Sequence, residues 1–334
     1  TAGGTAITAN EFANPDSSAT GPIVTTSGVQ VALSASTPAS TGIPAGSPVE
    51  FLKINLTAAS DGVANINAIT LSAYGLGAAL NLDDVTFYDN GVKVGTSKNF
   101  TSDRVAIFNF ATPISISAGT TKTLTVKATV ATNCGAGNNE VCSGNYAIGI
   151  TKSSDVIASA GSVTGTFPII GNVMSVVSGT NIGTVTLANP LTNDTTNNFG
   201  EDNVVLAGFD LTANNEPVLI QTLKFRNGGT DADGIVDNIK LYVDGTEVAV
   251  GTYADRYVTF NLDNFRIAKS DSVSVEVRGD LGVSNVNDKV QLYIRDKNDF
   301  TFLGQDFGFP VQLTDAGFAL LDTATDGVVV TFTT

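Results

Sequence analysis

Apolar and polar residues alternate along most of this chain with a period of two. In Val49–Thr57, Leu52, Ile54 and Leu56 fall on one face, while Lys53, Asn55 and Thr57 fall on the other. Leu124–Val130 alternates in the same way. That is the period of a half-buried strand, whose successive side chains point to opposite faces. Val85–Asp89 runs into Asn90-Gly91, which predicts a strand and a tight hairpin, because both central residues of such a turn need positive φ. No segment of a dozen residues shows a helical stripe with caps. Short strands separated by Gly, Asn and Asp turns predict an all-β chain of antiparallel sandwiches.

The chain also matches itself. Ile54–Ala58 pairs with Phe209–Ala213, Ile69–Leu71 with Leu223–Phe225, and Val85–Val94 with Ile239–Val248. Phe108–Phe110 pairs with Phe260–Leu262, and Thr123–Val130 with Ser274–Leu281. The matches keep their order and drift slowly in offset, as a duplicated module with small loop insertions would. The expected architecture is two tandem immunoglobulin-like antiparallel β-sandwich domains related by this repeat, 25–178 and 179–334. An arm over residues 1–24, rich in Ala, Thr, Asn, Ser, Gly and Pro, precedes them.

Each predicted domain opens with a glycine and an alternating strand, Gly28–Leu33 and Gly183–Leu187, and the chain finishes on a similar run, Gly327–Phe332. Two readings of this finish stand side by side. Val328, Val329, Val330 and Phe332 form the last strand of the second sandwich, or they pair with an open sheet edge in a neighbouring copy. An unpaired edge offers free N–H and C=O groups, and head-to-tail addition that does not close gives a filament.

Composition narrows the chemistry. The 334 residues include no histidine and no tryptophan, and the net charge is −15. Without histidine there is no Ser-His-Asp or Cys-His catalysis and no Cys/His zinc site. So acidic a chain has no electrostatic footprint for nucleic acid. No apolar run is long enough for a membrane span. Thr1-Ala2-Gly3-Gly4 reads as the start of a processed mature protein, leaving a cytosolic chain or one whose export signal has been removed. Cys134 and Cys142 flank a short glycine-rich loop, where a disulfide is the favoured reading and two free thiols the other. An oxidising, extracellular setting follows from the first reading.

Calcium is the candidate cofactor. Gly228–Asp237 packs Asp231, Asp233 and Asp237 into one glycine-rich loop, and Asp83-Asp84 occupies the matching place in the first copy. Calcium takes carboxylate and carbonyl oxygens from flexible loops, although turn aspartates also serve their own backbone. Asn55, Asn99 and Asn193 open Asn-x-Ser/Thr sequons and are candidate glycosylation sites. Tyr88, Tyr242 and Tyr253 are candidates for stacking on sugar, with packing as the commoner use of such positions. Two carboxylates in a cleft would suit a glycosidase, but none sits in a distinctive motif, and no enzymatic activity is expected.

Three features resemble modules of large prokaryotic cell-surface proteins. They are the strands Ile54–Ala58 and Phe209–Ala213, the hairpins Tyr88–Gly91 and Tyr242–Gly245, and the strand following Ile116–Thr120. The resemblance implies a subunit of a surface layer, sheath or extracellular filament that partners itself, often with calcium and sometimes by strand exchange. An adhesin or carbohydrate-binding surface protein is the alternative.

Overall fold

The computed structural model describes residues 28–134, 140–159, 161–177, 182–230, 235–283, 285–315 and 328–333. Among these the chain is all-β, with three single-turn 3-10 helices and no α-helix. The alternation read from sequence becomes strands: Pro48–Ala58 buries Leu52, Ile54 and Leu56 completely, and leaves Lys53, Asn55 and Thr57 half-exposed.

In the first half, one sheet runs Val163–Thr164, Val29–Leu33, Pro48–Ala58, Thr121–Val130, Leu82–Asp89, Val92–Lys98. The facing sheet is centred on Ala64–Tyr74, paired with Val105–Ile116, Asn145–Ile150 and Val156–Ala158. In the second half, Val204–Asn214 lies between Thr184–Ala188 and Ser272–Leu281, and Val236–Val243 continues the sheet to Thr246–Val250. Val218–Asn227 pairs with Tyr257–Ile267 and Phe300–Gly304 in the other sheet. Pro310–Asp315 joins the two sheets, running parallel to Thr184–Ala188 and antiparallel to Phe300–Gly304. Each half has its own hydrophobic core, one drawn from Val29 to Met174 and the other from Val185 to Phe332.

Ladder irregularities occur at matching places. The register shifts between Glu50 and Leu52 in one half and between Val205 and Ala207 in the other. Further shifts fall at Ile66/Ala68 and Ile220/Thr222, and at Asp83/Thr86 and Asp237/Lys240. A bulge adds one residue and breaks the alternation locally, so Phe51 and Leu52 are both buried. The hairpin turns Asn90-Gly91 and Asp244-Gly245 both have positive φ at both positions, the geometry expected from their sequence.

Candidate functional site

The richest side-chain chemistry lies where the two halves meet. Lys93, on Val92–Lys98, is in contact with Asp296, and Asp84, on Leu82–Asp89, is in contact with Lys297. Asp296 caps the single 3-10 turn Lys297–Asp299, accepting at Oδ1 from the Asn298 N–H at 2.9 Å. That turn therefore presents an acid, a base and a second acid, Asp299, to the first half. Ser47 Oγ donates to the Pro310 carbonyl at 2.8 Å, and Phe309 packs against the first core. Between these contacts lies a cleft of about 330 Å³, lined by Tyr88 and Lys127 from one half and by Lys224, Asn298 and Asp299 from the other.

Burial dominates the electrostatics here. It raises the Asp299 carboxyl to about 6, against the opposing pull of Lys224, Lys93 and Arg295. It raises Asp83 as well, with Asp84 adding to the effect and Lys297 opposing it. It lowers Lys93, although Asp299 and Asp84 favour its charged form. The Tyr88 hydroxyl is also raised by burial, with Asp299 and Asp84 contributing. No hydrogen bond of ordinary geometry reaches this hydroxyl, though the Asn298 amide is close enough to offset part of the shift.

The sequence candidates are dispersed. Asp231 and Asp233 lie outside the described residues. Asp237 is exposed on Val236–Val243. Asp84 and Asn238, at matching bulges, both adopt positive φ, a conformation that Asp and Asn tolerate well. Asp84 also meets Lys297, so its position has both a backbone and an ion-pair use. Among the described residues no group of three or more acidic or cysteine side chains converges as a metal site.

Cys134 and Cys142 are joined in a disulfide with Cα atoms 5.1 Å apart. Asn55 is half-buried, its Oδ1 accepting from Thr123 Oγ1 at 2.8 Å. Asn99 is exposed and accepts from the Asp84 N–H at 3.1 Å, and Asn193 is exposed. Tyr88 is buried in the junction rather than displayed. Within the single chain, Val330–Thr333 pairs in parallel with Thr195–Asn198 and antiparallel with Lys289–Val290. Val328, Val330 and Phe332 are buried in the second core, and Val329 is half-exposed.

Two polar devices were not picked out from the sequence. Glu216 is fully buried and accepts three backbone N–H groups, from Gly183 at 2.7 Å, Asp306 at 2.9 Å and Phe307 at 3.2 Å. A Cβ on Gly304 would lie 2.4 Å from its Oε1, so glycine is required there. Arg104, at φ 63°, donates to the carbonyls of Ala73, Gly77 and Gly75 at 2.9, 3.1 and 3.1 Å. Arg256, at φ 64°, donates likewise to the Gly229 carbonyl. The alignment of Phe108–Phe110 with Phe260–Leu262 begins four residues after these arginines, and extending it backwards would have found them.

No family model matches the chain, and no curated protein matches it in sequence. Solved structures similar to it include a protein described as membrane-anchored from Corynebacterium diphtheriae, at 12% identity and TM-score 0.21, covering 90% of this chain. This chain spans 60% of that protein's length. The CupB6 tip adhesin of Pseudomonas aeruginosa is similar at 11% identity and TM-score 0.17, covering 86% of this chain and 98% of its own. The major pilin subunit of Bacillus cereus follows at 10% identity and TM-score 0.16, covering 75% of this chain and 69% of its own. At such scores these likenesses carry no argument about function.

Proposed function

We propose that the chain is a non-enzymatic structural subunit of an extracellular filament, sheath or surface layer, built from two copies of one β-sandwich module. The matching pairings, bulges and αL arginines of the two halves support the duplication. The extracellular setting is supported by the disulfide, a bond that persists in oxidising compartments. The contacts at the junction support a stiff two-module unit, which is what a load-bearing subunit requires.

The observation that carries assembly is the terminal strand. Val330–Thr333 is laid between Thr195–Asn198 and Lys289–Val290 as a separate piece, with its apolar side chains filling the core. In the sequence, residues 316–329 separate it from Pro310–Asp315, and a fully extended run of that length reaches roughly 46 Å. The same strand from a neighbouring copy would find identical contacts, so exchange costs no interaction and is driven by concentration. With a net charge of −15, bridging cations are a proposed part of assembly, because they relieve repulsion between subunits.

Electron microscopy of the purified protein, with calcium and with a chelator, tests this. Ordered polymers are expected. Single particles at high concentration under both conditions would refute the reading. A chain truncated after residue 327 is expected to stop assembling and to accept a synthetic 328–334 peptide. The junction cleft favours a second reading, an adhesin that binds sugar between its modules, and glycan binding by the isolated monomer would select it.

A further inference from the structure

The seven ion pairs among the described residues are not alike. Six have side chains 22–42% exposed, whereas Lys93 and Asp296 are 17% and 12% exposed. This least exposed pair also joins residues 203 apart, across the junction. Its two reactive groups are held on both sides. Lys93 Nζ donates to Ser97 Oγ at 2.8 Å and meets Asp296 Oδ2, while Asp296 Oδ1 accepts the Asn298 N–H. A third polar group, the Asp299 carboxyl, lies on the same short turn and acts electrostatically on Lys93.

We propose that Lys93 and Asp296 condense into a side-chain amide that ties the first sandwich covalently to the second. The neutral Nζ attacks Cγ of Asp296, and the negative charge that develops on Oδ1 is met by the Asn298 N–H already directed at it. The Cγ–Oδ2 bond then breaks. Oδ2 leaves as water, carrying the carboxyl proton and one proton from the nitrogen. Nothing is oxidised or reduced, and no co-reactant is consumed.

Two physical conditions favour this pair over an ordinary salt bridge. Holding amine and carboxyl in contact supplies an effective molarity on the order of 10⁵ M, which opposes hydrolysis by bulk water. Burial also favours the reacting amine, because it weakens the Lys93 ammonium. The companion pair Lys297–Asp84 is more exposed, at 26% and 30%, and stays ionic.

Mass spectrometry of the full-length, reduced and denatured protein tests the bond. The expected mass is one water, about 18 Da, below the sum of the residues. Proteolysis is expected to release a branched peptide containing Lys93 and Asp296, and none containing Lys297 and Asp84. Lys93→Arg keeps the ion pair, and so the folded junction, but restores the full mass. Asp296→Ala restores it as well. A wild-type chain of full mass after prolonged incubation overturns the proposal. So does a loss of water without the branched peptide, which would mark a succinimide at some aspartate. The bond forms within one chain, so failure to polymerise leaves it standing, and its absence leaves the assembly reading standing.

Discussion

Replacing Glu216 by glutamine isolates the buried carboxylate that anchors the start of the second half. Oε1 accepts from Gly183, and Oε2 accepts from Asp306 and Phe307. Glutamine fills the same space but turns one oxygen into a donor. With its oxygen aimed at Asp306 and Phe307, two charge-assisted bonds become neutral ones, at a loss of about 1 kcal/mol together. The amide NH2 then faces the Gly183 N–H, and a buried donor left without an acceptor costs about 1–3 kcal/mol. The sum is about 3 kcal/mol. Urea titration followed by circular dichroism is the assay, tryptophan being absent. The midpoint is expected to fall with little change in slope, and the melting temperature by roughly 10 °C. A variant within about 0.5 kcal/mol of wild type would refute the claim that these three bonds carry weight. Gly304→Ala should destabilise through the same carboxylate, because its Cβ would strike Oε1.

Other outcomes are expected from the same reasoning. Asp299 holds its proton more tightly when folded, at about 6, than its ordinary value of 3.8, so stability should fall as pH rises through that window. Partial solvent screening trims the change to about 2 kcal/mol. Asp299→Asn should lose that share of the pH dependence in parallel melts, and an equal slope in both proteins would contradict this. Removing the Cys134–Cys142 bond by serine substitution should cost about 2.5 kcal/mol for a loop of this separation, read as a shift in the denaturation midpoint. Arg104→Ala frees three carbonyl partners and should lose about 2 kcal/mol, with faster amide exchange at Gly75 and Gly77; unchanged exchange would show that the guanidinium is not the clamp.

Much of the architecture was legible in the chain itself. The alternation around Leu52, Ile54 and Leu56 and the Asn90-Gly91 turn each rest on a few consecutive residues, and the structure follows them. Period two and positive φ are local properties, so a window of ten residues contains the information. The bulges mark the limit: Phe51 and Leu52 are both buried, because an extra residue resets the alternation at a point set by the partner strand. The cysteine spacing was legible too, since a short loop leaves little freedom in how its ends meet.

The chemistry was decided elsewhere. Asp84 read as a calcium candidate, and the fold sets it against Lys297. Tyr88 read as a strand tyrosine that could meet sugar, and the second half covers it. Glu216 stands in no motif, yet it is buried against Gly183, Asp306 and Phe307, one of them 33 residues before it and the others about 90 residues after it. Lys93 and Asp296 carry no mutual signal in the sequence. Strand periodicity is written residue by residue, whereas the burial and partner of a charge depend on how the two halves of the chain come to rest on each other, which no local pattern encodes.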